Sequence, residues 1–311
     1  MEAYFMRKSH NGLLWPSMHV TFIINGSKKS GVKVLESLRQ LATQFESEFY
    51  FTKSKGHAIT IAEKLAEKTD VIVSVGGDGT ISECVNGVML FRLKNPSAPL
   101  PAIALLPLGS GNDLARNFKW DTSVADLVYR LEHLKYSPVD IGSIEYKNGT
   151  QDFFINETST GLSRSVVERV SQMPSYLNGN LKFGIAILRT FITFRKQTIE
   201  IKSDHFNWKG KVMLLVCANG KYFGSGIGIA PDADTNDGLL DITLIGDVTL
   251  FDYLKYLPRL RRCEKIIHPE VHYFKCKMLH LAGSGMLEKD GEIGSHLDCS
   301  IHIHPHALMM V

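Results

Sequence analysis

The stretch Val71-Ile72-Val73-Ser74-Val75-Gly76-Gly77-Asp78-Gly79-Thr80 runs from an apolar segment straight into a glycine-rich turn. Five residues rich in β-branched side chains read as a strand buried on both faces, as strands of parallel sheets are. The turn then opens a helical period at about Ile81. Glycines let the backbone approach a polyphosphate, and a helix start offers free N–H groups and the positive end of a dipole. Asp78 inside such an anion-binding loop makes sense beside a cation such as magnesium, held directly or through water. Taken alone, the loop also reads as a plain glycine turn with an Asp cap.

The same pattern recurs on either side. Val20–Asn25 is predicted as a buried strand and about 32–46 as a helix, followed by a short strand at 49–52 and a helix at about 58–68. Ile103–Leu106 is a third buried strand, and it leads into Pro107-Leu108-Gly109-Ser110-Gly111-Asn112-Asp113. Strands alternating with helices predict parallel pairing with helices on both faces, and ligands beyond the carboxyl ends of the strands. The turns after Asn25, Val75 and Leu106 would then face one crevice. Asp113 is a helix cap on the plain reading. On the functional one, Asp78 and Asp113 share a site and need a cation between them, with Asp140 able to join them.

After Asp140 the texture changes. Short strand-like pieces at 143–146, 152–156, 197–203, 211–216, 240–245 and 276–282 alternate with Gly/Asn/Asp turns, which predicts an antiparallel β-rich domain. Two helices are expected within it, near 163–170 and 181–194. The predicted fold is therefore an N-terminal α/β domain with a parallel sheet at its core, plus a β-rich antiparallel second domain, with the active site in the cleft between them. The expected division is 18–141, then 142–295, with 296–311 returning toward the first domain.

A chain of 311 residues has room for two such domains. Hydrophobic residues at 44% and charged residues at 22% place it among globular proteins. A net charge of +3 suits an anionic partner but does not single out nucleic acid, and none is expected. The five scattered cysteines argue against a disulfide framework or a zinc site and favour a reducing cytoplasm. No secretory leader is expected. The longest uncharged stretch, Asn95–Asn112, holds four prolines, which excludes a spanning helix there. Residues 1–17 look unlike the rest of the chain and read as an extra arm or an upstream start.

At this point the chain resembles a known family. The two glycine loops, Gly76–Thr80 and Gly109–Asp113, resemble those of the diacylglycerol kinase catalytic domain family, which includes soluble bacterial lipid kinases and the sphingosine and ceramide kinases. The resemblance continues through Asp140-Ile141-Gly142, Phe154-Ile155-Asn156, Gly161, Asn219-Gly220, Gly224–Gly228, Pro231–Asp241 and Asp290-Gly291-Glu292. The first loop alone also occurs in NAD kinases and phosphofructokinases, whereas the whole ordered set is far more specific.

What the resemblance implies is ATP-dependent phosphorylation of a lipid hydroxyl, with diacylglycerol the leading acceptor and ATP and magnesium as cofactors. Gly76, Gly77, Asp78, Gly79, Thr80 and Ser110 would bind the nucleotide phosphates, with Asn25, Thr52 and Asn112 as further nucleotide contacts. Asp78, Asp113 and Asp140 would surround the catalytic magnesium. Asp237, with the carbonyls of Asp234 and Leu239, would hold a second, structural magnesium. Glu292 would be the general base, with Asp290 and Asp78 as competitors for that role. Lys28, Lys29 and Arg116 would touch headgroup or phosphate. Two departures stand out: Gly26 replaces the usual proline after Asn25 and is expected to loosen that turn, and Ser110 stands where threonine is commoner.

Other signals are discounted. His302 and His304 alternate with Ile301 and Ile303 and so belong on the solvated face of a strand, not in a metal site. The apolar helix near 181–194 is read as a core helix with a wet edge, and the cluster Arg259, Arg261, Arg262 and Lys265 as a solvated face. The expected enzyme visits a membrane surface transiently from the cytoplasm, and a homodimer is left open. The rivals are an NAD kinase-like enzyme and a non-catalytic lipid or nucleotide sensor.

Overall fold

The computed structural model describes residues 18–26, 34–38, 45–133, 135–174, 177 and 179–311. Strands β1 (His19–Ile24), β2 (Glu46–Phe51), β3 (Val71–Gly76) and β4 (Ala102–Pro107) lie parallel in the order β2-β1-β3-β4. Alternation along each strand splits its side chains between two faces. Ile23, Ile72, Ile103 and Leu105 pack on one face against Ala58, Ile61 and Ala62 of α1 (His57–Leu65) and Ile81, Val85 and Val88 of α2 (Asp78–Lys94). Val20, Phe22, Val71, Val73 and Val75 point the other way, onto Leu38, Leu127 and Leu131. The last two belong to α4 (Val124–Glu132), which comes after the short α3 (Asp113–Phe118). The result is three layers, α/β/α, as the period of the sequence dictates.

The second half is a β-sandwich. Its first sheet extends the parallel one. Strand β18 (Cys299–Met310) pairs parallel with β4 at Met310–Ile103 and antiparallel with β5 (Ser137–Tyr146). Beyond β18 come β15 (Met278–Gly283), β8 (Gln197–Ser203) and β9 (Asn207–Val212), while β6 (Gln151–Phe154) pairs with β5. The second sheet is antiparallel, in the order β14 (Val271–Cys276), β13 (Leu240–Ile245), β10 (Leu214–Ala218), β7 (Glu157–Gly161), β16 (Met286–Lys289), β17 (Glu292–His296). Between the sheets Ile199, Ile201, Leu279 and Ile301 meet Leu215, Ile242, Leu244 and Leu287. A two-stranded ribbon of β11 (Tyr222–Phe223) and β12 (Ile227–Gly228) lies outside both sheets. Helices α5 (Leu162–Ser171), α6 (Gly179–Thr193) and α7 (Leu250–Arg261) complete the chain.

Arg130 clamps the C-terminal strand to the first sheet. Its guanidinium donates to the Val311 and Leu105 carbonyls, pairs with Asp126 at 2.9 Å, and lies 4.4 Å over the Trp120 ring.

Several expectations change. The described part of the predicted 32–46 helix, residues 34–38, is helical, but Glu46 already belongs to β2. The expected strand at 211–216 divides into β9 and β10 around Met213. Helix α7 was not anticipated at all. Its signal was present in Thr249-x-x-Asp252, where the Thr249 hydroxyl accepts from the Asp252 N–H and the Asp252 carboxylate accepts from the Thr249 N–H. The 1–17 arm, Lys28 and Lys29 lie outside the described residues.

Candidate active site

Three strand ends converge, as parallel pairing requires. After β1, the Asn25 N–H donates to the Val75 carbonyl, and its side-chain amide reaches the Thr80 hydroxyl at 3.3 Å. The Gly26 N–H donates to the Thr52 hydroxyl at 3.2 Å. A Cβ on Gly26 would lie 2.4 Å from the Thr52 carbonyl oxygen, so glycine here is a condition of the close approach and not a loosened turn. After β3, Gly77 caps α2 and its carbonyl accepts from the Thr80 N–H, leaving Asp78 in the first turn. After β4, Asn112 adopts a left-handed φ of 52° and accepts from the Gly109 N–H at 2.9 Å. A Cβ on Gly109 would meet the Gly77 Cα at 2.7 Å, so the two glycine loops touch backbone to backbone.

Asp78 and Asp113 flank one point. A Cβ on Gly111 would lie 3.0 Å from an Asp78 oxygen and 3.6 Å from an Asp113 oxygen. Two like charges at such spacing cost roughly 3 kcal/mol at an effective dielectric near 20. Burial first, and the Asp78 charge second, push the Asp113 carboxyl up to about 6. Against this, Ser225 and Gly226 N–H donate to Asp113 and the Arg116 Nε stands 4.0 Å away, while Leu114 N–H donates to Asp78. Paired carboxylates beside glycine-rich loops fit a magnesium ion that would also take ligands from outside the protein.

These loops line one end of a cleft of about 570 Å³, together with Thr52, Lys53, Lys55 and Ser110. The other end is apolar, walled by Leu162, Val166, Phe183, Ile187, Phe191 and Tyr253 from α5, α6 and α7. Between them the β16–β17 hairpin turns at Asp290 and Gly291, both at positive φ, with Lys289 facing Glu292 across the strands. The hairpin carries Glu292 into the cleft, where burial pushes its carboxyl up against the pull of Lys55, 3.5 Å away. Asp290 instead accepts the N–H groups of Ile155, Asn156 and Glu157, which occupies it as an anchor between β6 and β7.

Sequence reasoning did not find the two buried acids beside it. Glu157 and Glu288 line the same cleft, and burial raises both carboxyls, with the Glu288 charge a further push on Glu157. Glu288 accepts the Ser159 hydroxyl and the Gly291 N–H at 2.5 Å each. Glu83 was missed as well: it is buried at the cleft and accepts from the Gly56 and Ala58 N–H groups.

Other predicted residues lie elsewhere. Asp140 is fully buried and does not line the cleft. Its oxygens accept from the Gly238 and His306 N–H groups, and its carbonyl accepts from Asn219, making it a joint between loops. Asn112 acts on its own loop, and Arg116 lies over the Tyr222 ring at 5.6 Å. Asp234, Asp237 and Leu239 are also away from the cleft. The Lys275 ammonium stands 2.7 Å from Asp237, 3.1 Å from Asp241 and 3.1 Å from the Asp232 carbonyl. A side-chain cation therefore pairs with the carboxylate that was expected to hold a structural magnesium. Among the described residues no group of three or more His, Cys, Asp or Glu is placed to hold a metal by itself.

Two family models match the chain, one in each half. Residues 19–144 match the diacylglycerol kinase catalytic domain, and residues 156–311 match the YegS C-terminal NAD kinase beta sandwich-like domain. The diacylglycerol kinase of Bacillus subtilis (strain 168) is 27% identical over 299 residues, 91% of each chain. A protein of Xanthomonas euvesicatoria pv. vesicatoria (strain 85-10) named "Probable lipid kinase YegS-like" is 25% identical over 232 residues, 74% of each chain. The crystal structure of a diacylglycerol kinase from Bacillus anthracis str. Sterne shares the fold, with a TM-score of 0.69 at 20% identity over 95% of this chain and 96% of that one.

Proposed function

The chain belongs to the diacylglycerol kinase catalytic domain family with a YegS-type C-terminal domain, and from that membership we propose that it is a lipid kinase using ATP. The observation that carries the reading is the two-ended cleft. Phosphate-binding loops and two carboxylates stand at one end, an apolar channel at the other, and a half-buried glutamate between. A water-soluble acceptor would have no use for the channel. A lipid does: its acyl part fills the apolar end while its hydroxyl reaches the polar one. Diacylglycerol, whose hydroxyl is short and neutral, is the acceptor we favour.

In this reading the N–H groups at the start of α2 and of the Gly109–Asp113 loop receive the β- and γ-phosphates. Asp78 and Asp113 would hold magnesium, which neutralises charge on the transferring phosphoryl group. Glu292 accepts the proton of the lipid hydroxyl as its oxygen attacks phosphorus and the bond to ADP breaks. Burial of Glu292 raises its basicity for that task, and Lys55 pulls the other way. The acceptor is identified by incubation with γ-labelled ATP and, in turn, diacylglycerol, sphingosine, ceramide, phosphatidylglycerol and NAD. Label on a lipid supports the reading, and label on NAD alone would replace it with the NAD kinase alternative.

A further inference from the structure

The turn of the β11–β12 ribbon, Gly224-Ser225-Gly226, takes positive φ at all three residues: 58°, 68° and 89°. Glycine adopts this region freely, whereas serine is strained in it. The surroundings hold Ser225 there from both sides. Its N–H donates to one Asp113 oxygen at 2.8 Å and the Gly226 N–H to the other at 2.7 Å, while the Ser225 carbonyl accepts from the Arg261 guanidinium at 2.7 Å. A third glycine would serve each of these backbone bonds without strain, so none of them calls for a side chain. Strain kept at a cleft points instead to a use for the group that causes it.

That group is a hydroxyl. Ser225 lines the cleft, is only 6% exposed, and its buried Oγ has no hydrogen-bond partner among the described residues. A buried hydroxyl is seldom left in that condition. Its direction is fixed by Gly111: a Cβ there would lie 3.0 Å from the Asp78 oxygen, 3.5 Å from the Ser225 Oγ and 3.6 Å from the Asp113 oxygen. Three oxygens from three separate segments thus converge on a point that glycine keeps clear of a side chain.

Two of the three oxygens belong to carboxylates, so a phosphate oxygen would be repelled at that point and a cation attracted. Hard divalent cations take carboxylate and neutral oxygen donors together. A serine hydroxyl beside an aspartate is also how phosphate-binding loops of another class hold magnesium. Among the described residues no third His, Cys, Asp or Glu joins the pair, and the hydroxyl is a donor of a different kind. Resting on the lipid-kinase reading, we propose that Ser225 is a third protein ligand of the divalent cation at Asp78 and Asp113. The cation would then tie the two halves of the chain together, since Ser225 belongs to the C-terminal domain and the carboxylates to the N-terminal one.

The test is manganese binding by the full chain, without nucleotide or lipid, read from the electron paramagnetic resonance of the ion, which takes the same oxygen ligands as magnesium. Asp78→Asn should remove the bound ion, which assigns the signal to this site. Ser225→Ala and Ser225→Gly should each weaken binding at least about tenfold. The glycine variant should melt no lower than wild type, because it keeps every backbone bond and relieves the strain, so its loss of binding cannot come from misfolding. Ser225→Cys sets sulfur in place of oxygen, and added cadmium should displace its manganese at least about tenfold more readily than in wild type, since a soft donor prefers a soft ion. Wild-type affinity in the alanine and glycine variants, an unchanged cadmium preference in Ser225→Cys, or manganese held equally by Asp78→Asn would each overturn the proposal. Manganese binding that depends on Ser225, in a protein that labels no lipid, would leave the third ligand standing and sink the kinase reading.

Discussion

Glu157 and Glu288 are both buried and line the same cleft as the glycine-rich loops, with the Glu288 charge acting on the Glu157 carboxyl. Burial first, then the Glu288 charge, holds Glu157 well above the carboxylate range. The folded chain therefore binds a proton more tightly than the unfolded one. Stability is full below the ordinary value of 4.5 and falls as pH rises from there through the raised value. Glu157→Gln keeps the shape but removes this titration. Thermal melts of both proteins from pH 5 to pH 9 (about the span in which a raised carboxyl titrates) should show a steeper fall for wild type. Parallel curves would mean that burial does not raise Glu157.

The β16–β17 hairpin separates two acids that the sequence leaves adjacent. Glu292→Gln should lower kcat by about 10²–10⁴-fold with KM for ATP nearly unchanged. Asp290→Ala should instead strand three buried N–H groups and cost about 2–4 kcal/mol of stability. Steady-state kinetics beside thermal melts check both. Full kcat in Glu292→Gln would move the base to Asp78.

Lys275 supplies the charge that a second magnesium was expected to bring. Burial works against its ammonium, but Asp237 and Asp241 outweigh that and hold its pKa above the usual lysine value. Lys275→Met should lose about 1–3 kcal/mol, and added magnesium should then raise the melting temperature of the variant more than that of wild type. Equal magnesium shifts in the two proteins would show that the ammonium does not stand in for an ion.

Much of this architecture is legible because its signals are local. Val71–Thr80 and Ala102–Asp113 each carry strand, loop and helix start in one run, so periodicity alone aligns them along the sheet. Asp290-Gly291-Glu292 is likewise one short run, and it places Glu292 at the cleft. Reasoning failed where partners come from far along the chain. Asp140 and Asp237 look like free carboxylates until Gly238, His306 and Lys275 arrive from other elements. The channel was illegible because Phe183, Phe191 and Tyr253 are ordinary apolar residues until three helices bring them together.

The central claim is that phosphoryl transfer to a lipid takes place at the paired carboxylates of the glycine loops. The direct measurement tracks label from γ-labelled ATP into dispersed diacylglycerol, with magnesium, for wild type and Asp78→Ala. Asp78 stands in the first turn of α2, at the cleft and outside the core, so the variant should melt close to the wild type. The account predicts labelled lipid from wild type and a loss of at least about 10³-fold in Asp78→Ala, the scale on which removing charge stabilisation from the reacting group acts. Labelled lipid formed equally by both proteins would contradict it.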